Sequence, residues 1–344
     1  MGAAERYPSR RRVIKGVGLG IGMGLLAHPR GEPAQAQSGP AAAIWSGEYW
    51  AKKGDISLYM FRKRLGPPKV GEAARPVLFL VHGSSISSRP SFDLTVPNAG
   101  PYSMMNAFAG WGYDVWTMDH EGYGRSSRTE GNSDVKSGAA DLTAGTEVVA
   151  RETGQPRFHF YGGSSGALRA GVFAMARPER VNRLVLEGFT WMGKGSPTLG
   201  KRAEGLEYFR THHRRPRDRN MIRSIFTRDK PGTSDPRVAE ALADAELAFG
   251  DTIPTGTYLD MTANLPLVDP SKVEAPVLLV RGEYDGIATE EDVFNFFTRL
   301  KNADRQYIIL AGASHAAGAG YSRQQLWHVV RAFLGMPAGP TGKA

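Results

Sequence analysis

Six short, almost wholly apolar runs recur along this chain, and they constrain its fold more than any other feature. They are Pro76–Val81, Tyr113–Met118, Phe158–Tyr161, Leu184–Leu186 within Arg183–Glu187, Val277–Val280 and Tyr307–Leu310. A strand with one face in water alternates polar and apolar residues, whereas a continuous apolar run is buried on both faces. Helical patterning fills most of the intervals between these runs, so they predict an α/β protein with a doubly wound, mostly parallel sheet covered by helices on both sides. Ile44–Tyr49 and Ile56–Phe61 read as an opening antiparallel pair. The stretch 191–272 holds no run of this kind. Its helical patterning at Glu204–Phe209 and Val238–Leu247, punctuated by Pro231-Gly232 and Pro254, reads as an inserted helical cap. The predicted core is therefore 37–190 and 273–344.

Residues 1–36 carry a different signal. Arg10-Arg11-Arg12 precede a glycine-rich apolar stretch, Gly16–Ala27, and Ala34-Gln35-Ala36 is a small-residue cleavage site. This pattern predicts a twin-arginine signal peptide cleaved after Ala36, with the export machinery as partner of the precursor. A periplasmic or secreted location without a stable membrane anchor is expected. Cleavage leaves 37 Lys and Arg against 32 Asp and Glu, a formal charge of +5 in place of +9. That mild excess, with no nucleic-acid-binding motif, gives no reason to expect a nucleic-acid partner. With no cysteine in the chain, disulfides, a thiolate nucleophile, Cys-ligated zinc and a lipoprotein anchor are all excluded.

Ser164 stands in Gly162-Gly163-Ser164-Ser165-Gly166, between the apolar run Phe158–Tyr161 and the helical pattern that starts at Ala167. Strand, sharp turn and helix in this order form the setting of a nucleophile elbow, where a strained backbone lifts the serine hydroxyl clear of the sheet. The same glycines do not make a dinucleotide site, because the G-x-G-x-x-G spacing fails and no Gly-Lys-Ser/Thr follows. No cofactor and no metal are expected.

A serine hydroxyl is a weak nucleophile at neutral pH and needs a base, an orienting acid and an oxyanion site. Asp285 follows the run Val277–Val280, and His315 sits in the small-residue loop after Tyr307–Leu310. The chain order Ser164, Asp285, His315 is that of a triad on this kind of sheet. Glu187 ends the preceding strand and is the alternative acid. Val81-His82-Gly83-Ser84-Ser85 follows the first buried strand, which makes the backbone N–H groups of Ser84 and Ser165 the candidate oxyanion hole. His82 is read as ordering that loop through a buried hydrogen bond.

On these motifs residues 45 to 335 resemble the α/β-hydrolase superfamily, in its serine esterase and lipase-like branch with a helical cap. The marks are His82-Gly83, the segment Asp119 to Ser127, the Ser164 elbow, Asp285 and His315. Within the resemblance, the Asp119 segment looks like the superfamily's D-x-x-G-x-G-x-S turn, a structural loop. Serine at the elbow also sets the chain apart from the dehalogenase and epoxide-hydrolase branches, which use aspartate there. The resemblance implies an exported serine hydrolase that cleaves a small-molecule carboxylic ester through an acyl-enzyme. Alternatives on the same triad are carbon–carbon or amide hydrolysis and cofactor-free perhydrolysis. A further alternative is a non-catalytic protein that binds a hydrophobic ligand.

Two cap features bear on substrate. From Lys194 to Lys230 there are eleven Lys and Arg against four Asp and Glu, which is either a solvated face or an attractor of an anionic group. Trp191, Met192, Tyr208, Phe209, Tyr258 and Met261 are either pocket wall or core, and His212-His213 in the basic run are read as solvated.

Overall fold

Two ten-residue strands, β1 (Ile44–Lys53) and β2 (Ile56–Leu65), form an antiparallel hairpin at one edge of the sheet. Residue exposure alternates along β1 while most of β2 is buried, as expected for an edge strand and its inner neighbour. The structure is a computed structural model that describes residues 43–337. The predicted signal peptide and its cleavage site lie outside the described residues.

The remaining strands of the main sheet are β3 (Val77–Val81), β4 (Asp114–Met118), β5 (Phe158–Gly163), β6 (Val181–Glu187), β9 (Val277–Gly282) and β10 (Arg305–Leu310). A separate ribbon is made by β7 (Arg214–Pro216) and β8 (Thr252–Pro254). The main sheet runs β1-β2-β4-β3-β5-β6-β9-β10, antiparallel at β1, β2 and β4 and parallel from β4 onward. All five residues of β3 and of β4 are buried. Successive side chains leave a strand on opposite faces. Phe79, Phe160 and Leu186 therefore pack in one apolar layer with Leu142 and Phe173 of the helices Val135–Thr153 and Ser165–Ala176. Leu78, Leu80 and Val185 pack in the other with Phe108 and Trp327 of the helices Met104–Gly110 and Arg323–Leu334. Each fully buried Leu or Phe contributes about 1.5–3 kcal/mol to this sandwich.

Parallel pairing brings the C-terminal ends of β5, β6, β9 and β10 to one rim, and an open α/β sheet presents its ligand site at such a rim. Between β6 and β9 lies the cap, with helices Pro197–Ala203, Leu206–Thr211, Arg219–Thr227 and Pro236–Leu247. The β7–β8 ribbon within it departs from the purely helical expectation. Its three-residue strands are too short to carry a period in the sequence, and each ends in proline. Ile222 and Phe226, one turn apart on a helix, and Val238 and Leu242 on the next bury themselves against Ile86, Leu94 and Tyr102 from the loops after β3. The cap is thereby seated over the rim.

Candidate active site

The turn after β5 is shaped by what cannot fit there. A Cβ added at Gly162 would lie 2.4 Å from the Gly166 carbonyl oxygen, and one at Gly166 would lie 2.2 Å from that of Val81. With glycine at both positions the chain reverses sharply, and Ser164 takes a φ of 57°. This is a strained value for a residue with a side chain, and its backbone N–H is held by the Glu187 carbonyl at 2.8 Å.

The loops after β9 and β10 complete the constellation. His315 Nε2 lies 2.8 Å from Ser164 Oγ, and His315 Nδ1 lies 2.9 Å from both oxygens of Asp285. With Nδ1–H donating to the carboxylate, Nε2 accepts from the serine hydroxyl. Asp285 Oδ1 also accepts the N–H groups of Ile287 and Ala288, at 2.8 and 2.9 Å. Burial pushes the Asp285 carboxyl up, but His315 and these two N–H groups outweigh it and hold the group below the usual carboxylate range. Glu187 reaches no atom of His315 by a hydrogen bond. Its Oε2 instead lies over Gly163, and burial followed by the Asp285 charge raises it to about 8. Glu283 turns away and accepts the Gly312 N–H at 2.8 Å.

The hydroxyls of Ser84 and Ser165 lie 2.6 Å apart, which brings the loop after β3 against the start of the helix after the elbow. Ser165 opens the helix after the elbow, and a Cβ at Gly83 would come within 3.2 Å of Ser164 Cβ, so the β3 loop lies directly on the serine. His82 Nε2 accepts the His120 N–H at 3.1 Å, and Tyr123 donates to the Ser84 carbonyl at 2.8 Å. Burial drives His82 well below the usual histidine range, so it is a neutral buried strut of that loop. Asp119 accepts Ser88 N–H and Oγ–H together with the Arg125 N–H, which makes it a turn former.

Several residues were not singled out from the sequence. Glu246, on the cap helix Pro236–Leu247, pairs with Arg217 and accepts both the N–H and the hydroxyl of Ser87. Arg217 also donates to the Ser85 carbonyl, so this buried pair ties the cap to the loop that bears Ser84. Asp229 accepts the His315 N–H at 3.2 Å, and Asp292 gathers the N–H groups of Trp191, Met192 and Gly193. Only Arg217 and Asp229 carried a signal, as members of the basic stretch.

The serine opens on a chamber of about 160 Å³, a volume that elsewhere accepts one benzene-sized group. None of the six cap residues considered as pocket wall lines it. Trp191 packs on Phe296, Phe209 and Tyr258 cluster with Tyr123 and Ile253, Met261 is core, and Met192 and Tyr208 are exposed. Ile225, Phe226 and Leu242 supply the apolar cap-side wall. Arg202 and Arg228, from the basic stretch, line the chamber as well. Arg202 Nη1 is buried without a hydrogen-bond partner among the described residues. Burial, then Arg228 and Arg215 close by, lower its guanidinium to about 10, with Tyr258 opposing. His212 and His213 are exposed, as read from the sequence, and His212 stacks on Tyr208.

The profile of the Hydrolase_4 family, described as serine aminopeptidase, S33, matches residues 99–317. The chain belongs to this family. Among curated relatives of this Hydrolase_4 chain is the 2-hydroxy-6-oxononadienedioate/2-hydroxy-6-oxononatrienedioate hydrolase of Paraburkholderia phymatum. The two are 30% identical over 249 residues, which are 67% of this chain and 78% of that protein. The enzyme of the same name from Burkholderia vietnamiensis is 28% identical over 217 residues, 58% of this chain and 70% of its own. Among solved structures, a hydrolase from Pseudomonas aeruginosa aligns with a TM-score of 0.62 and 19% identity, covering 84% of this chain and 98% of that one. The carboxylesterase CesB of Bacillus subtilis aligns with a TM-score of 0.61 and 19% identity, covering 86% and 94%. These likenesses establish an α/β-hydrolase fold and a hydrolase of this family.

Proposed function

We propose that this chain hydrolyses a carbon–carbon bond next to a carbonyl group in a small substrate that carries a carboxylate. The observation that carries the reading is the hydrogen-bonded line Ser164–His315–Asp285, opening on a small chamber in which Arg202 has an unpartnered buried nitrogen. Ser164 Oγ attacks the carbonyl carbon as His315 Nε2 takes its proton, and Asp285 stabilises the imidazolium so formed. The N–H groups of Ser84 and Ser165 bind the oxyanion, at about 3 kcal/mol per donor. Collapse of the tetrahedral adduct breaks the bond to carbon. The departing carbon takes the electron pair and then the proton from His315, so the substrate must offer conjugation that stabilises that pair. Water then cleaves the acyl-enzyme, giving a carboxylic acid and a second product with a new C–H bond.

Support for carbon–carbon cleavage comes from the relatives at 28–32% identity, all named as 2-hydroxy-6-oxo-dienedioate-type hydrolases. Arginine provides for the carboxylate, since its planar fork pairs with such a group. Cleavage of a carboxylic ester is the second reading, because the same triad and oxyanion donors serve it and an ester leaving group needs no conjugation. A 2-hydroxy-6-oxo-dienoate, followed by loss of its chromophore, and a matched aryl ester separate the two. The first reading requires kcat/KM for the dienoate to exceed that for the ester. Ester turnover with an inert dienoate would replace it by the second. We also propose export of the precursor, on the sequence of residues 1–36 alone. A mature N-terminus at Gln37 supports it, and an intact Met1 or Gly2 start in the periplasmic fraction contradicts the cleavage.

A further inference from the structure

The chamber is lined from two parts of the fold, and their chemistry differs. The cap supplies Arg202 and Arg228 beside apolar side chains, while the core supplies Phe92, Tyr161 and Glu187. Glu187 is only 6% exposed, and among the described residues no Lys, Arg or His forms an ion pair with it. A Cβ at Gly163 would lie 3.2 Å from Glu187 Oε2 and 4.0 Å from the Tyr161 hydroxyl, so both polar groups converge where β5 meets the elbow.

Other ionisable groups face this corner from the elements around it. Asp285, from the loop after β9, is close: a Cβ at Gly188, the residue after Glu187, would lie 3.4 Å from Asp285 Oδ2. His315, from the loop after β10, has both ring nitrogens engaged by Asp285 and Ser164. Arg202 and Arg228 belong to the cap side of the same chamber. Two carboxyl groups in one buried site do not both ionise unless each has its own partners. Asp285 has an imidazole and two N–H groups. Glu187 has the Tyr161 phenol and the Asp285 charge as neighbours, so it keeps its proton.

We propose that Glu187 is a specificity residue, a carboxylic acid on the core-side wall that donates a hydrogen bond to an uncharged substrate oxygen, in a corner where the neighbouring Asp285 charge repels a second carboxylate. The anionic end of the substrate is then confined to the cap-side arginines. This rests on the hydrolase reading of Ser164 and narrows it: the curated relatives are named for dienedioates, which carry two carboxylates, whereas this chamber suits a monoacid. Elevation of Glu187 to about 8, by burial and then by Asp285, is consistent with a proton retained through neutral pH.

The test uses the full chain with aryl esters in four forms: neutral, with one carboxylate on the acyl side, with one on the leaving-group side, and with both. At pH 7 the diacid should have a kcat/KM at least about tenfold below that of the better monoacid. For the neutral ester, kcat/KM should fall about tenfold or more between pH 7 and 9.5 with a midpoint near 8, and Glu187→Gln should remove that descending limb. Equal turnover of diacid and monoacid overturns the proposal on wild-type protein alone, whether or not the variant folds. A descending limb that persists in a folded Glu187→Gln overturns it too. If no ester is turned over and Ser164 takes no covalent probe, the hydrolase reading itself fails. Turnover without either discrimination overturns the role of Glu187 only.

Discussion

Asp285 and Glu187 stand at neighbouring strand ends, carry the same chemical group, and are almost equally buried at 5% and 6% exposure. Their partners set them apart. Asp285 accepts from His315, Ile287 and Ala288 and is held below the usual carboxylate range, while Glu187 has a phenol and a like charge for neighbours and rises to about 8. Burial alone therefore does not assign an acid to a triad. The number of N–H donors that converge on it does, because each favours the ionised form.

Removing each carboxylate in turn separates the two roles. Asp285→Asn should lower kcat by about 10⁴-fold, since the imidazole loses its tautomer control and its counter-charge. Glu187→Gln at pH 6.5 should cost no more than about tenfold, the worth of one neutral hydrogen bond. Near-normal turnover in the first variant with a loss of several orders in the second would reverse the assignment.

A third buried carboxylate extends the contrast. Glu246 has partners as Asp285 does, Arg217 and Ser87, yet burial outweighs them and raises it to about 7. Arg217→Met removes its only ion-pair partner among the described residues and should cost about 3–5 kcal/mol in urea unfolding. A loss below about 1 kcal/mol would show that the cap does not depend on this pair. On the substrate side, Arg202→Met should raise KM for a carboxylate-bearing substrate by about 10–100-fold, matching the roughly 1.5–3 kcal/mol of a charge-assisted hydrogen bond. The neutral ester should be unaffected; an equal rise for both would indicate loss of packing instead.

The pH dependence of stability gives a readout independent of turnover. A carboxyl group raised in the folded state stabilises it fully below the unfolded value near 4.5, and that contribution is lost as pH rises through the folded value of about 8. The Tm of Glu187→Gln relative to wild type should therefore become more favourable from pH 5 to pH 9. A difference that does not change with pH would contradict a protonated Glu187.

The core was legible in the sequence because its signals are local. Continuous apolar runs marked β3, β5 and β9, and the glycines around Ser164 form a five-residue pattern between a strand and a helix. Asp285 and His315 could be placed because strand ends on a parallel sheet converge. The cap was legible only as an interval. Its chamber wall is made by Ile225, Phe226 and Leu242 rather than by its more conspicuous aromatics, and which face of a short helix meets a cavity depends on packing partners distant in sequence. Arg202 was visible as part of a basic stretch, but nothing local separates a guanidinium with one buried, unpartnered nitrogen from the solvated ones around it. Arg217, Glu246 and Ser87 lie far apart in the chain, and their association is a property of the fold alone.

Ser164 acts in this site as a nucleophile activated by His315. Incubation with a fluorophosphonate, followed by digestion and mass spectrometry, tests it without knowledge of the substrate. One adduct per chain is expected, on the peptide that contains Ser164, formed rapidly in wild type, absent in Ser164→Ala and strongly slowed in a folded His315→Ala. An unlabelled wild-type protein that is demonstrably folded, or an adduct that persists in Ser164→Ala, would contradict it.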